Sequence, residues 1–422
     1  GTMMVHNLSL IFFFHHLLRG SSALSLKGSK VKPFFGFQSQ QPASQPAIPS
    51  VVGGGDVASS SSSSRRLNQE DVLSIAQQSL EECMEAATGE GAERNDPGRL
   101  RRIEISLERL YDACRRFEQD EATPDEIAET KEAIRVLARP FTAVGPFGKE
   151  ISTWPRGPGS STAMRYVYEG VHLLSCNTLL AHYSEWYMRT RDLSLAVLSR
   201  KDKLRALLQK ELIHQSSPIS NNSKSKTKII NNDDDESIRI LDLANGPIQS
   251  LKEVIQDGIV PANVLQQVDY RGYDTDSIIQ ADNQVWMEES DFTGQFAFHV
   301  EDALRAPFKG DARKDYNNIV YSTGFFDYLN DSLLKTLWKK CFASLKPGGV
   351  LLISLKDSAK YHAQMYHYMV KWDQFFQRNE EHFLQLLDEA NLQPESCIRD
   401  STGIILFYVV RKKPDAAAAV VE

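Results

Sequence analysis

The chain has 422 residues, of which 41% are hydrophobic and 24% charged, and its formal net charge at pH 7 is −7. These values are ordinary for globular proteins and exclude a collagen-like, coiled-coil or wholly disordered chain. The acidic balance disfavours sequence-independent nucleic-acid binding, which needs a basic excess, and no apolar run approaches the roughly 20 residues that span a bilayer. At roughly 150 residues per domain, the length predicts two or three folding units.

Residues 1–66 differ from the rest of the chain in composition. An apolar run at 8–18 is followed by a stretch rich in Ser, Pro, Gln and Gly, and no acidic residue occurs between Gly1 and Gly55. An apolar run ahead of a basic, acid-poor, Ser-rich segment is typical of a targeting sequence. We therefore predict a transit peptide for an organelle, a plastid or a mitochondrion, with entry through the secretory route as a variant. The alternative is a disordered tail without an address, which would leave the protein in the cytoplasm.

Apolar residues recur at helical spacing from residue 67 to about residue 214, which predicts a helical cap region. Asn68, three residues before Asp71, is typical of a helix start. Residues 123–126 form a capping box with proline at the first helical position. We expect the helix that begins there to stop before Pro140, because proline cannot continue a helix without losing a hydrogen bond.

Residues 215–237 are polar and contain an acidic run at 233–236. A carboxylate run in a loop lacks the imposed geometry of a cation cage, so we interpret the segment as a solvated linker and expect no metal site. The cysteines are scattered, without the close pairs of a zinc site or a disulfide framework, and are expected to be reduced thiols. They are Cys83, Cys114, Cys176, Cys341 and Cys397.

Beyond residue 237 the chain alternates short β-rich runs with helical patterns, which predicts a parallel sheet covered on both faces. Two late runs, joined by a tight turn at 400–403, are expected to close the sheet as an antiparallel pair. The predicted fold class is α/β, a Rossmann-like, mostly parallel seven-stranded sheet over residues 238–413, followed by a tail at 414–422. The predicted strands are 238–243, 268–273, 296–300, 318–322, 350–355, 395–398 and 404–410.

Small and polar residues follow the predicted strands, and sheets of this kind bind ligands outside the carboxyl ends of their strands. Small residues at 244–246 would let the backbone approach a ligand closely. A carboxylate after the second strand can accept hydrogen bonds from both ribose hydroxyls; we assign this contact to Asp274, with Asp276 as the rival. Asp302, after the third strand, can meet an adenine amine. The predicted cofactor-binding residues are Asp242, Ala244, Asn245, Gly246, Asp274, Asp302, Ala303, Tyr321 and Ser322.

The loop after the first strand is not G-x-G-x-x-G, so it lacks the pyrophosphate cradle of a dinucleotide site. The absence of this pattern, together with the polar residues at the ends of successive predicted strands, indicates S-adenosylmethionine rather than NAD as the cofactor. The half of the chain from Ile238 onward resembles the class I S-adenosylmethionine-dependent methyltransferases. The stretch from about Gly145 to Lys413 is similar, more specifically, to a bacterial family named for making a 3-hydroxy fatty acid methyl ester signal.

The segments that carry the closer resemblance include an FFDYL block and an RNEE block. They are residues 154–157, 168–170, 196–197 with Arg200, 321–329, 345–349, 372–381 and 400–403. Three positions depart from the family pattern. Ala244 stands where methyltransferases more often have glycine, and its small side chain preserves close backbone approach. Residues 160–162 and Lys371 differ at positions that belong to the substrate side rather than the cofactor side.

The resemblance implies methyl transfer from S-adenosylmethionine to a small organic acceptor, with O-methylation of a carboxyl group as the leading reaction. Tyr321, beside the expected methyl group, and Arg378, whose guanidinium fits a carboxylate, are the catalytic candidates. The alternative for Arg378 is an ion pair with Glu380 or Glu381. A carboxylate acceptor needs no general base, because alignment and desolvation can supply much of the acceleration. The implied substrate-binding residues are Trp154, Arg156, Phe325, Trp372 and Arg378.

Two other classes of protein stay open on the residues alone. A non-catalytic protein that binds S-adenosylmethionine, or an interaction protein, is compatible with the imperfect first motif. A dinucleotide-dependent oxidoreductase is disfavoured by the absent glycine fingerprint. The expected partner is a small-molecule acceptor, without nucleic acid or a membrane span, and the pattern indicates no particular oligomeric state.

Overall fold

The computed structural model describes most of the chain beyond the N-terminal extension. The described residues are 66–120, 122–153, 161–170, 175–216, 237–309 and 316–413. The predicted targeting segment up to residue 65, most of the predicted linker and the tail at 414–422 lie outside them. None of the described helices is both long enough and apolar enough to cross a bilayer.

Helices occupy the described residues before 217, as the helical spacing predicts. The first begins with the expected capping box: the Asn68 side chain accepts a hydrogen bond from the Asp71 N–H, and the Asp71 carboxylate accepts one from the Asn68 N–H. The third begins with a second capping box, formed by Thr123 and Glu126. The helices are α1 (Gln69–Thr88), α2 (Pro97–Gln119), α3 (Pro124–Thr142), α4 (Pro146–Thr153), α5 (Ser161–Glu169), α6 (Leu179–Arg189) and α7 (Asp192–Ser216).

Helix α3 continues past Pro140 to Thr142, so the expectation that it stops before the proline is wrong. Proline lacks an N–H and crowds the carbonyl of the residue four positions earlier. Pro140 lies only two residues before the end of the helix, so these costs affect few hydrogen bonds. The helical ladder resumes beyond it, since the Ala143 N–H donates to the Arg139 carbonyl at 3.0 Å. The extra turn buries Phe141, whose ring centroid lies 6.3 Å from that of Tyr187.

The C-terminal part forms a seven-stranded sheet in the order β3-β2-β1-β4-β5-β7-β6. The first five strands in this order are parallel, and β7 is antiparallel to both β5 and β6. The predicted fold class, including the antiparallel closing pair, is therefore confirmed. The strands are β1 (Ile238–Leu243), β2 (Val268–Asp274), β3 (Gln295–Val300), β4 (Asn317–Ser322), β5 (Leu345–Lys356), β6 (Ser396–Arg399) and β7 (Ile405–Arg411).

The sheet lies between two hydrophobic clusters, because successive side chains of a strand point to opposite faces. Val350 and Leu352 of β5 belong to a cluster that also holds buried residues of α1 to α7. Leu351 and Ile353 belong to a second cluster on the other face. The N-terminal helices thus share a core with one face of the sheet. The remaining helices are α8 (Gln249–Gln256), α9 (Ala262–Leu265), α10 (Ser277–Glu289), α11 (Asp331–Ala343) and α12 (Glu380–Glu389).

Candidate functional site

A cavity of about 320 Å³ lies at the carboxyl ends of β1, β2 and β4 and is also lined by residues of α5 and α7. The sheet brings most of the residues predicted from the strand ends to this one place, because the carboxyl ends of parallel strands meet at one edge. Asp276, the rival to Asp274, lines it too. The predicted residues that line the cavity are Asp242, Ala244, Asn245, Gly246, Asp274, Asp302, Ala303, Tyr321, Phe325 and Trp372.

The loop after β1 has a strained backbone. Ala244, Gly246 and Ile248 all have positive φ, at 52°, 52° and 44°. The conformation is unfavourable for a β-branched side chain such as that of Ile248, which is nonetheless held in place by burial. A Cβ added at Gly246 would meet no atom within 4 Å, so the tip of the loop borders open space. A ligand can therefore approach this backbone closely.

Two neighbouring elements hold the loop in position. From α10, the Gln280 amide exchanges hydrogen bonds with the Asn245 amide at 3.0 and 3.1 Å, and the Asn283 side chain donates to the Gly246 carbonyl at 2.7 Å. At the end of β2, the Asp274 carboxylate accepts from the Gly246 N–H at 3.0 Å. The Asn245 side chain is thus engaged by α10, and the loop presents mainly its backbone to the cavity.

Asp274 and Asp276 have different local roles. The second carboxylate oxygen of Asp274 accepts from the Asp276 N–H at 3.0 Å, and burial raises the pKa of Asp274. Asp276 is the N-cap of α10 and accepts from the Ile278 N–H at 3.1 Å. Each oxygen of Asp274 thus accepts one backbone N–H and keeps a lone pair for a further donor.

The end of β3 contributes the last of the polar strand ends. The Asp302 carboxylate accepts from the Leu304 N–H at 2.8 Å, and its side chain is about half exposed. Ala303 beside it is buried. The pair offers a carboxylate and a small apolar surface at the rim of the cavity.

Asp242 forms a buried polar cluster with two tyrosines. The Tyr270 hydroxyl donates to Asp242 Oδ2 at 2.8 Å, whereas Asp242 Oδ1 has no hydrogen-bond partner among the described residues. Tyr321 stands opposite Asp242 in the β1–β4 register. Burial raises the pKa of Asp242 to about 8 and that of Tyr321 well above its usual value, so both side chains are mostly neutral at pH 7 without a ligand. Tyr321 also lies close enough to oppose this increase in the pKa of Asp242, so Asp242 Oδ1 keeps hydrogen-bonding capacity at the wall of the cavity.

The opposite part of the cavity is lined by cations and aromatic rings. Lys356, at the end of β5, is 5% exposed and its Nζ donates to Asp327 Oδ2 at 2.6 Å. Burial lowers the pKa of Lys356, Asp327 opposes the decrease, and the charge of nearby Arg200 adds to it. The Trp372 Nε1–H donates to the Tyr328 hydroxyl at 3.0 Å. These residues, except Asp327, line the cavity.

Four predicted site residues are not among those that line the cavity in the described part of the chain: Trp154, Arg156, Ser322 and Arg378. Trp154 and Arg156 lie outside the described residues. Ser322 is buried beside the cavity, and its hydroxyl accepts from the Phe325 N–H at 3.3 Å. Arg378 does not line the cavity: its guanidinium is 1% exposed and donates from Nε to the Asp331 carboxylate at 2.8 Å.

Arg378 does form an ion pair, but the expectation that its partner is Glu380 or Glu381 is wrong. Its partner is Asp331 at the start of α11, not Glu380 or Glu381, and Arg378 Nη2 also donates to the Leu329 carbonyl at 2.5 Å. Glu380 instead pairs with Arg399. This arrangement holds the strand-to-helix loops next to the cavity through Nε and Nη2 of Arg378, whereas Nη1 has no hydrogen-bond partner among the described residues.

Sequence reasoning did not single out the two cations of the cavity as site residues. Arg200 belongs to a segment that carries the family resemblance, but the sequence pattern assigns it no role in the site, and it assigns none to Lys356. Lys356 follows a strand that ends at the same edge as β1 and β4, which is the signal that could have found it. Arg200 lies in the middle of α7, where no local pattern distinguishes it from a surface arginine.

The comparisons with known proteins are limited to the fold. No protein-family model and no curated protein matches the chain. Solved structures similar to it include a possible exported protein from Bordetella parapertussis (15% identity, TM-score 0.43, 84% of this chain and 100% of that one). Another is the CurJ carbon methyltransferase (10%, 0.41, 82% and 92%).

A third is the 1,6-didemethyltoxoflavin-N1-methyltransferase of Burkholderia thailandensis, solved with its substrate and S-adenosylhomocysteine (15% identity, TM-score 0.31, 42% of this chain and 72% of that one). Identities of 15% or less and TM-scores of 0.43 or less say nothing about what this chain binds. The class of protein that the sheet defines is an α/β protein with a Rossmann-like, mostly parallel seven-stranded sheet in which β7 is reversed.

Proposed function

We propose that the protein is a methyltransferase that binds S-adenosylmethionine in the cavity at the carboxyl ends of β1, β2 and β4. The observation that carries the proposal is the group of strand-end residues gathered there, above all the unpartnered Asp242 Oδ1 and the open approach to Gly246. An orphaned buried carboxylate oxygen calls for a donor, because leaving it unpaired costs free energy. The positively charged amino group of a methionine moiety is such a donor, and its charge would favour the ionised form of Asp242.

The residues present offer a suitable contact for the amino group, the ribose and the adenine of the cofactor. Asp242 would take the amino group, and the loop at 244–246 would lie along the ligand with its backbone. Asp274 keeps lone pairs for the vicinal ribose hydroxyls, and the exposed Asp302 carboxylate, next to buried Ala303, suits the exocyclic amine and face of adenine. No second glycine-rich turn is needed, because the cofactor has no pyrophosphate.

The acceptor side supports a small organic molecule with a carboxyl group. When bound, S-adenosylmethionine supplies a methyl group on a positively charged sulfur. The chain's own part is to hold an acceptor atom in line and to exclude water, which the rings of Phe325, Tyr328 and Trp372 favour. Tyr321 is buried with a raised pKa, so it would serve as a neutral wall or hydrogen-bond donor rather than as a base. A 3-hydroxy fatty acid is one acceptor of this class.

Calorimetric titration of the full chain with S-adenosylhomocysteine tests the cofactor site. Wild type is expected to bind in the micromolar range, and Asp274→Asn to bind about tenfold more weakly, a loss of about 1.4 kcal/mol. Asp276→Asn is the matched control, since asparagine also caps a helix and should leave binding unchanged. Absence of binding by folded wild type would refute the proposal.

A turnover assay separates a methyltransferase from a protein that only binds the cofactor. The full chain is incubated with methyl-labelled S-adenosylmethionine and a panel of carboxylic acids that includes 3-hydroxy fatty acids. Label transferred to a base-labile ester is expected for carboxyl methylation. Tight binding of the cofactor without transfer to any acceptor class would favour the non-catalytic alternative.

A further inference from the structure

Arg200 is a buried cation that has no carboxylate partner in the described part of the chain. It is 5% exposed, it lines the cavity, and its Nε atom has no hydrogen-bond partner among those same residues. No carboxylate of the described residues lies within ion-pair distance of it, whereas Lys201, the next residue, pairs with Glu253 at 2.5 Å. Burying an unpaired charge costs several kcal/mol, so a protein keeps one only where something compensates for it.

The charges around Arg200 do not balance. Lys356 is close enough for the two charges to affect each other, and the Asp327 carboxylate beside Lys356 offsets only one of the two cations. The carboxylates that line the rest of the cavity, Asp242, Asp274, Asp276 and Asp302, lie at or after the ends of β1, β2 and β3. Among the described residues, none of them forms an ion pair with Arg200, so the Arg200 guanidinium has no carboxylate in direct contact with it.

The fold makes room for this guanidinium. A Cβ built at Gly324, in the loop after β4, would lie 2.7 Å from Arg200 Nη1, so the arginine fork occupies the space that glycine leaves. Any other residue at position 324 would push the fork away. The position of the guanidinium over the end of β4 is thus fixed by packing, although no ion pair holds it.

We propose that Arg200, with Lys356 beside it, forms a carboxylate-binding subsite of this cavity and that the carboxylate belongs to the methyl acceptor. A guanidinium presents parallel N–H donors that match the two oxygens of a carboxylate. The assignment of the carboxylate to a methyl acceptor rests on the proposed function, whereas the carboxylate-binding subsite itself does not. Lys356, the last residue of β5, and Trp372, in the segment after β5, both line the cavity away from the β1, β2 and β3 ends assigned to the cofactor. The other source of the same chemistry is the carboxylate of the cofactor's methionine moiety.

The test uses calorimetric titrations of the full chain with four probes. Hexanoate and hexan-1-ol, added in the presence of saturating S-adenosylhomocysteine, differ only in the charged group. S-adenosylhomocysteine and 5′-methylthioadenosine differ in that the second lacks the amino acid part. Arg200→Gln is expected to weaken hexanoate binding about tenfold or more and to leave the other three probes unchanged. Arg205→Gln is the matched control on the same helix, because Arg205 pairs with Glu253 at 3.3 Å and does not line the cavity.

Each other outcome has a defined meaning. If Arg200→Gln weakens S-adenosylhomocysteine but not 5′-methylthioadenosine, the subsite holds the cofactor's carboxylate and the assignment to the acceptor is overturned. If Arg200→Gln changes the affinity for neither hexanoate nor S-adenosylhomocysteine, the subsite itself is overturned. The same holds if folded wild type binds neither of these two ligands. If wild type binds hexanoate but no S-adenosylhomocysteine, the proposed function fails while the effect of Arg200→Gln on hexanoate still decides the subsite.

Two further measurements exclude a merely structural role. Arg200→Gln removes an unpaired buried charge, so its midpoint of thermal unfolding is expected to equal or exceed that of wild type; a lower midpoint would indicate a structural partner. Gly324→Ala keeps the arginine but displaces its fork, and is expected to weaken hexanoate in the same way as Arg200→Gln. Unchanged hexanoate binding in folded Gly324→Ala would contradict the placement of the guanidinium.

Discussion

The backbone N–H and the side-chain ammonium of Lys356 donate to the two oxygens of one carboxylate, that of Asp327, at 3.1 and 2.6 Å. Both side chains are almost fully buried. The contact joins the end of β5 to the short 3-10 turn at Phe325–Tyr328, and it thereby holds one wall of the cavity.

Replacement of Asp327 by asparagine leaves the Lys356 ammonium buried without its counter-charge. We expect Asp327→Asn to lower the free energy of unfolding by about 3–5 kcal/mol, the usual cost of breaking a buried pair. Chemical denaturation at pH 7 measures the loss. The exposed pair of Lys335 and Glu389 supplies the control, because Glu389→Gln is expected to leave the denaturation midpoint unchanged. Equal midpoints for the two variants would contradict the importance of the buried pair.

Asp242 makes stability depend on pH. Burial raises its pKa to about 8 in the folded state, above the ordinary aspartate value of about 3.9 in the unfolded state. The folded protein therefore holds a proton that the unfolded chain has released between about pH 4 and pH 8, and the stability this contributes is lost as pH rises through that window.

Asp242→Asn has no such proton to release. The free energy of unfolding of wild type, relative to Asp242→Asn, is expected to fall between pH 5.5 and pH 7.5 by up to about 1.4 kcal/mol per pH unit. Urea denaturation at the two pH values measures the difference. Asp302→Asn, at a half-exposed carboxyl of the same cavity, is the control. A difference that does not change with pH would show that Asp242 is ionised in the folded state.

Gly246 and Gly403 have the same kind of backbone at different places. Their φ values are 52° and 76°, and a Cβ added at either meets nothing within 4 Å. An alanine at each is expected to cost about 1–2 kcal/mol of stability from the left-handed conformation alone. Only Gly246→Ala is expected to weaken S-adenosylhomocysteine binding as well, because its methyl group points into the space beside the cofactor loop. Equal affinity of both variants would remove the loop from the binding site.

The hydrogen bond from Trp372 to Tyr328 connects the segment after β5 to the turn after β4. Tyr328→Phe leaves the Trp372 Nε1–H buried without an acceptor, and a loss of about 1–3 kcal/mol in the free energy of unfolding is expected. Tyr408→Phe is the control, because the Tyr408 hydroxyl has no nitrogen or oxygen partner among the described residues and interacts only weakly with the thiol of Cys397. Denaturation followed by tryptophan fluorescence measures both. A Tyr328→Phe variant as stable as Tyr408→Phe would mean that Trp372 finds another acceptor.

The sheet and its strand ends could be predicted because the signals for them are local. The central strands β1, β4 and β5 are largely apolar runs buried on both faces, and the residues that follow parallel strands must lie at one edge of the sheet. Asn245, Asp274 and Asp302 follow predicted strands in this way and line the cavity. Pro140 shows the limit of local reasoning: the rule that proline ends a helix was outweighed by burial of Phe141 one residue later.

The cations could not be predicted because their meaning depends on distant partners. Arg378 is paired with a carboxylate 47 positions earlier, so its sequence neighbours Glu380 and Glu381 suggested the wrong ion pair. Arg200 looks like a surface residue of a helix until the loop at Gly324 is placed over it. Charge compensation inside a protein is a property of the folded surroundings, which no spacing along the chain records.

The position of β7 has a consequence for synthesis. This strand, the last in the described chain, lies between β5 and β6, so β5 waits for residues 405–411 before its second edge is paired. Until then a nascent chain carries an open, apolar strand edge of the kind that recruits other chains. A chain truncated before residue 405 is therefore expected to expose this edge of β5 and to be prone to aggregation.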